Sequence, residues 1–152
     1  MKIEGVDKKS YQQAGIFDLN SGLIEKSMGT RSDEISNQLK NNAVGIIKSC
    51  KVIYQDPAYR FLVSQIYRSA TSAGANYEEA CGAESRADFI HKLHIAYKEL
   101  RETAYWLSII QMANLGSKED IEVCKESTEK LLRIIGKSLI TSKKNMNKPK
   151  DR

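Results

Sequence analysis

The sequence has little of several features that mark specialised classes of protein. Of its 152 residues only two are proline and three are cysteine. No apolar run approaches the roughly 18 residues that a membrane-spanning helix needs, so we predict no membrane partner. The cysteines, Cys50, Cys81 and Cys124, lie far apart and leave an odd one out, which argues against a disulfide framework. We interpret all three as small apolar residues of a core or an interface.

Signals for export and for a strongly basic fold are also missing. The first residues, MKIEGVDKKSYQQAG, contain no apolar stretch after their lysines, so we expect a cytoplasmic protein. The formal net charge is +5. Residues 143–152 contain five Lys or Arg and one Asp, which gives +4 of that total. The rest of the chain is therefore nearly neutral.

The sequence has only two histidines, which restricts metal and acid–base chemistry. A di-iron bundle needs two Glu-x-x-His pairs, and the nearest match is Asp88 with His91. His91 and His94 lie near each other on a helix but lack an evident third ligand. No serine or cysteine has a recognisable catalytic neighbour, and no glycine-rich phosphate loop follows a strand. We predict no enzymatic activity and no cofactor.

Apolar residues recur at helical spacing in four segments, for which we predict helices at about 33–55, 57–81, 86–113 and 118–142. Asp56-Pro57 separates the first two, while Gly82 and Gly116 precede the serine caps of the last two. Short connections favour antiparallel neighbours. The predicted fold is all-α, an antiparallel up-down-up-down, left-handed four-helix bundle.

Outside these segments the periodicity is lost. Residues 1–32 show neither helical nor alternating spacing, and we predict a loosely ordered N-terminal arm. Residues 33–142 form the predicted bundle. Residues 143–152 have one apolar residue and are predicted to form a flexible basic tail.

Each predicted helix has one apolar stripe for the core. The stripes comprise Ile35, Leu39, Ala43, Ile46, Cys50 and Ile53; then Leu62, Ile66, Ala73, Tyr77 and Ala80; then Phe89, Leu93, Ala96, Leu100, Ala104 and Leu107; and finally Ile121, Cys124, Thr128, Leu131, Ile135 and Ser138.

The second and third helices have an additional stripe beside the first. It consists of Gln65, Ser69, Ser72, Asn76 and Glu79 on one helix and of Ile95, Glu99, Glu102, Trp106, Ile109 and Ile110 on the other. A wide core could bury these residues, or another subunit could cover them. Its carboxylates need partners, and the candidates are Arg68, Lys98, Arg101, Asn76 and His91.

Ten of the eleven stripe residues, without Ile110, make up the candidate site together with Arg68, as an oligomer interface or a buried polar network. Its members are Gln65, Arg68, Ser69, Ser72, Asn76, Glu79, Ile95, Glu99, Glu102, Trp106 and Ile109. A carboxylate metal site at Glu79, Glu99 and Glu102 is a remote alternative.

Basic residues near the end of the sequence are candidate nucleic-acid contacts. They are Lys143, Lys144, Lys148, Lys150 and Arg152, and Arg60, Tyr67 and Arg68 could add a helical patch. The alternative interpretation is that the segment only increases solubility.

Several segments resemble one known family. They are Arg68-Ser69-Ala70 with Ser72, Gly74-Ala75-Asn76 with Glu79, Ala87 to Leu93, Ile95-Ala96, Lys98-Glu99, Glu102-Thr103 and Tyr105-Trp106-Leu107. Over roughly residues 34–140 the chain resembles the four-helix-bundle proteins encoded in intervening sequences of bacterial 23S ribosomal RNA genes. Many relatives have glycine where this chain has Ala80, so the second helix is expected to continue towards Gly82.

This resemblance implies a small non-enzymatic bundle that assembles as a ring, a homopentamer. The chain is also similar to the accessory proteins of diversity-generating retroelements, pentameric bundles that bind a reverse transcriptase and nucleic acid. We therefore predict an oligomeric interaction or scaffold protein. The alternative is an RNA- or DNA-binding accessory protein in which a ring multiplies weak contacts of several basic tails.

Overall fold

The structure, a computed structural model, describes the backbone of residues 21–146 and the side chains of residues 31–146. The chain divides into two compact units, Met1–Asp33 and Glu34–Arg152. Helix α1 is Ser21–Gln55, α2 is Arg60–Cys81, α3 is Arg86–Met112 and α4 is Lys118–Met146, with a 3-10 turn at Pro57–Tyr59. These elements contain no strand within residues 21–146. The predicted all-α fold is confirmed.

Short polar side chains cap the 3-10 turn and α3 at the positions where the sequence predicts caps. Asp56 accepts a hydrogen bond from the backbone N–H of Ala58 (2.9 Å), just before the 3-10 turn. Ser85 accepts one from the N–H of Asp88 (3.1 Å) at the start of α3. Such bonds satisfy amide groups that have no partner within the first helical turn.

Contacts between neighbouring helices show that they run in opposite directions. In each pair of neighbouring helices, residue numbers increase along one helix while the numbers of their contact partners decrease along the other. For α1 and α2 the contacts are Ser36 with Glu78 and Ile47 with Tyr67, and for α2 and α3 they are Glu79 with Lys92 and Arg68 with Glu102. For α3 and α4 they are Arg86 with Asn145 and Gln111 with Glu122, and for α1 and α4 they are Asn42 with Thr128 and Ser49 with Cys124. Each helix therefore contacts two others, and the arrangement is an up-down-up-down four-helix bundle.

The bundle core consists of two apolar clusters. One is built around Leu39, Ala73, Leu93, Leu100 and Ile135. The other is built around Ile46, Cys50, Ile66, Leu107 and Ile121. Both clusters draw residues from all four helices, so packing between the helices, rather than any single helix, stabilises the fold.

The predicted stripes are largely buried, with corrections in α2, α3 and α4. All six stripe residues of α1 are buried, but Leu62, Phe89, Ala104 and Ser138 are only half-buried. Val63, Ile90, Ile110 and Leu139 are buried instead. Ile110 belongs to the additional stripe, and each of the other three is next in sequence to a residue of a predicted stripe. A helix that packs against two neighbours buries a wider part of its surface than one stripe.

Two helices extend beyond their predicted ends. Helix α1 begins at Ser21 rather than near residue 33, and α4 continues to Met146, so Lys143 and Lys144 lie on its last turn. Apolar periodicity detects a packing face, and a helix can continue where that pattern stops. Residues 1–20 and 147–152 of the predicted arm and tail lie outside the described residues.

No helix in the described part of the chain is long and apolar enough to cross a membrane. The predicted environment of the cysteines needs one correction. Cys50 and Cys124 are buried, whereas Cys81, near the end of α2, is exposed and is not a core residue. Cys81 is the last residue of α2 and comes directly after Ala80, the last buried residue of that helix.

Candidate functional site

The additional stripes of α2 and α3 lie side by side on the outside of the bundle. We call this surface the α2–α3 face, and its residues are Gln65, Arg68, Ser72, Asn76 and Glu79 with Ile95, Glu99, Glu102, Trp106 and Ile109. Arg68 and Glu79 are exposed, and the other eight are half-buried. The chain alone therefore covers this surface only in part.

Three polar residues are joined at the centre of the face. Arg68 Nη2 lies 3.0 Å from Glu102 Oε1, and Trp106 Nε1 donates to the same oxygen over 3.2 Å. The ion pair connects α2 to α3 through Arg68, one of the five candidate partners, and the second bond fixes the indole one helical turn away. Because the Arg68 side chain is two-thirds exposed, its attraction to Glu102 is screened by solvent.

Glu79 has a partner that the sequence did not indicate. Its carboxylate contacts the ammonium group of Lys92 at the start of α3, a separation of 2.5 Å. The hydrogen bond that Lys92 donates to Glu79, followed by the charge of that carboxylate, raises the pKa of Lys92. Lys92 was missed because helical spacing within α3 does not reveal which residue faces the end of α2.

Ser69 and Thr103 belong to the interior of the bundle. Both are fully buried, and the Thr103 hydroxyl donates to Ser69 Oγ over 3.0 Å. Ser69 also donates to the carbonyl of Ile66 over 3.3 Å. Ser69 thus forms a buried polar link between α2 and α3. The small side chains explain how the two helices approach closely here.

Glu99 differs from the other two carboxylates of the stripe. Its Oε2 is buried and accepts no hydrogen bond from the side chains and backbone of the described residues. A buried polar oxygen without a donor costs free energy, typically about 1–3 kcal/mol.

Ser72 and Asn76 are joined by hydrogen bonds within α2. Asn76 Nδ2 donates to the backbone oxygen of Ser72 over 2.9 Å and to its hydroxyl over 3.2 Å. Phe61 lies four residues before Gln65, on the same side of α2, and is 72% exposed. The α2–α3 face therefore combines fixed polar groups with apolar side chains that are incompletely covered.

Of the predicted nucleic-acid contacts, Lys143 and Lys144 are exposed on the last turn of α4. Lys148, Lys150 and Arg152 lie outside the described residues. Lys143 is close enough to lower the pKa of His94 on α3. The largest cause of this lowering is burial of the imidazole, followed by the charges of Lys143, Lys98 and His91.

Within the described part of the chain, no three residues among His, Cys, Asp and Glu are grouped so that they could hold a metal ion. Glu79 and Glu102 instead pair with Lys92 and Arg68. The carboxylate metal site gains no support from this arrangement.

Residues 41–137, which include all of α2 and α3, match the family described as 23S rRNA-intervening sequence protein. The chain belongs to this family. The 23S rRNA-intervening sequence resemblance noted from the sequence is thereby confirmed, and the likeness to retroelement accessory proteins stays a prediction. No curated protein matches the chain.

Solved structures similar to this 23S rRNA-intervening sequence protein include a crystal structure from Bacteroides thetaiotaomicron VPI-5482. That structure is described as a protein with unknown function from the S23 ribosomal protein family. The two chains are 33% identical with a TM-score of 0.65, and the match covers 69% of this chain and 97% of the other.

Proposed function

We propose that this protein is a non-enzymatic, cytoplasmic interaction protein that assembles with copies of itself through the α2–α3 face. The observation that carries the proposal is Glu99 Oε2, a buried carboxylate oxygen without a donor in the described chain. A second copy packed on this face would bring a donor to that oxygen and remove the cost.

The composition of the face supports the same assignment. Interfaces between subunits bury an apolar centre with aromatic residues and surround it with polar groups. Trp106, Ile95 and Ile109 are half-buried in the single chain, and the Arg68–Glu102 pair lies beside them. The family resemblance supports a closed ring, specifically a homopentamer. In such a ring each copy would present this face to a different face of its neighbour.

Light scattering of the purified protein with Ile95→Lys tests the proposal. Because Ile95 is half-buried on this face, its replacement by lysine would place a charge inside the interface, where a charge without a partner is strongly disfavoured. We expect the wild-type protein to be an oligomer at micromolar concentration and the variant to dissociate. Val44→Lys, at an exposed position on α1, is the matched control and should keep the wild-type mass. A monomeric wild-type protein would refute self-assembly.

A second candidate function is nucleic-acid binding through the basic residues at the end of the chain. Lys143 and Lys144 are exposed on α4, and neither forms an ion pair with another residue of the 31–146 segment. In an oligomer several such ends would act together, so weak phosphate contacts would add up to measurable affinity.

Replacing Lys143, Lys144, Lys148, Lys150 and Arg152 by glutamine tests this candidate while keeping the full chain length. We expect wild-type binding to RNA to fall steeply with salt and the substituted protein to lose it. If the substituted protein binds RNA as tightly as the wild type, these residues do not carry the function.

A further inference from the structure

Helix α3 carries a row of basic side chains on its exposed side. His91, His94, Lys98 and Arg101 follow one another at spacings of three, four and three residues, which places them along one side of a helix. His91, Lys98 and Arg101 are exposed, and His94 is half-buried. Like charges at these spacings destabilise a helix slightly, so helix stability does not explain the row.

Helix α4 adds Lys143 to the same surface. Arg86 Nη1 donates to the backbone oxygen of Asn145 over 3.2 Å, which holds the end of α4 against the start of α3. Nearby, a Cβ at Gly136 would lie 3.3 Å from Cε2 of Tyr97, so the absence of a side chain lets the ring approach α4. This close packing brings Lys143 near His94. We call His91, His94, Lys98, Arg101 and Lys143 the α3 cationic surface.

None of its five residues forms an ion pair within residues 31–146. The three ion pairs there join Lys40 to Glu78, Arg68 to Glu102 and Lys92 to Glu79. The nearest acidic residues in sequence are Glu99 and Glu102. Glu102 pairs with Arg68 of α2, and Glu99 has its Oε2 buried. Burial lowers the pKa of His94, and the charges of Lys143, Lys98 and His91 lower it further.

The shape of the surface indicates what kind of anion it suits. The row from His91 to Arg101 is about 15 Å long at 1.5 Å per residue. Tyr105, four residues further along the same side, is 59% exposed. Basic residues that follow a backbone, combined with an aromatic ring on which a base can stack, are typical of single-stranded nucleic-acid sites.

We infer that the α3 cationic surface binds the phosphodiester backbone of single-stranded nucleic acid, with Tyr105 stacking against a base. This inference rests on the second candidate function and extends its contacts from the C-terminal lysines onto α3. It also gives the interaction a pH dependence. A bound phosphate favours the charged imidazole of His94, which faces His91 and Lys98 on α3 and Lys143 on α4. Binding therefore takes up a proton and strengthens as the pH falls.

The test is fluorescence anisotropy with a labelled single-stranded RNA of roughly 20 nucleotides and with DNA of the same sequence. The variant is Lys98→Gln with Arg101→Gln, and the matched control is Lys48→Gln with Lys51→Gln, two exposed lysines of α1. We expect the variant to bind at least about 10-fold more weakly than the wild type. Its plot of log affinity against log salt should be shallower by about 1.4, or 0.7 for each lost phosphate contact.

Two further variants sharpen the test. His94→Gln should flatten the increase in affinity at lower pH, and Tyr105→Ala should weaken binding about 5-fold or more, because it removes one stacked base. Circular dichroism establishes that each variant is folded before its affinity is compared.

The outcomes separate this inference from the candidate function. If the wild-type protein binds neither RNA nor DNA, both are refuted. If the C-terminal glutamine variant loses binding while Lys98→Gln with Arg101→Gln retains it, nucleic-acid binding stands and the α3 surface is not its site. Equal binding of poly-glutamate, in competition with the RNA, would show a general anion surface and overturn the nucleic-acid assignment. Tighter binding of the RNA or of the DNA probe identifies the kind of nucleic acid that the surface binds.

Discussion

Gly116, between α3 and α4, adopts φ = +73°, a left-handed conformation that side-chain-bearing residues rarely take. We predict that Gly116→Ala lowers the free energy of unfolding by about 1–2 kcal/mol. The backbone strain is the main cause. The new Cβ would also lie 3.1 Å from the Cδ1 atom of Ile53, a buried core residue. Urea denaturation measures the change.

Gly45→Ala is the control for this prediction. Gly45 lies within α1, where an added Cβ would be 3.8 Å from Cys124 Sγ, an ordinary contact. Alanine is the better helix former, so this variant should be unchanged or more stable by up to about 1 kcal/mol. A stable Gly116→Ala protein would show that the turn can adopt another conformation.

The cysteines differ in environment, and their reactivity should differ accordingly. Burial, followed by the charge of Cys124, raises the pKa of Cys50 to about 12. Burial is also the largest cause that raises the pKa of Cys124. Because the thiolate is the reactive form, we predict that iodoacetamide at about pH 8 modifies exposed Cys81 in the folded protein and spares the other two.

Mass spectrometry of the peptides checks this pattern, with urea-unfolded protein as the reference in which all three cysteines react. The variant Cys81→Ser should take up no label while folded. Labelling of Cys50 at the rate of Cys81 would show that the core near α1 opens readily.

Single-residue environments were only partly predictable from the sequence. The partner of Glu102, Arg68, was among the five candidate partners named from the sequence. Lys92 as the partner of Glu79, and Thr103 as the partner of Ser69, were missed. These contacts depend on the register between α2 and α3, and helical periodicity within one helix does not encode that register.

At the scale of one helix, the start of α3 is held by Ser85, whose hydroxyl accepts from the N–H of Asp88 over 3.1 Å. We predict that Ser85→Ala lowers the free energy of unfolding by about 1 kcal/mol, because that N–H loses its partner. Ser85→Asp should retain most of the stability, since aspartate caps a helix equally well. Thermal and urea denaturation of the three proteins measure both effects.

This cap can be separated from a general effect of the connection. Glu84→Ala, one residue earlier at an exposed position, should leave stability within about 0.5 kcal/mol of the wild type. If Ser85→Ala is equally harmless, solvent replaces the hydroxyl and the cap contributes little to the fold.

The helices illustrate what local signals can and cannot predict. Caps at Asp56 and Ser85 predicted element starts within a few residues, because they act within one turn. The early start of α1 at Ser21 was not predicted, since residues 21–32 have no apolar stripe. The end of α4 was missed for the same reason, and it places Lys143 and Lys144 on a helix.

At the scale of the whole molecule, the number of helices and their short connections were enough to predict the bundle. They were not enough to predict what covers the α2–α3 face. A residue such as Trp106 is half-buried in the single chain, and its sequence position is equally compatible with a wide core and with a subunit interface. The buried oxygen of Glu99 is visible only in three dimensions, and it is the feature that favours a second copy.

Self-assembly should affect the thermal stability of the protein as well as its molecular mass in solution. If folded chains associate and unfolded chains do not, mass action stabilises the folded state as the protein concentration rises. We predict that the unfolding midpoint of the wild-type protein increases by roughly 3 °C for each tenfold increase in concentration. Ile95→Lys should have a midpoint independent of concentration, whereas Val44→Lys should follow the wild type. Scanning calorimetry over a hundredfold range, about two tenfold steps, measures this dependence. A wild-type unfolding temperature that stays constant over that range would show that the folded bundle does not associate with copies of itself. The α2–α3 face would then need a partner other than this chain.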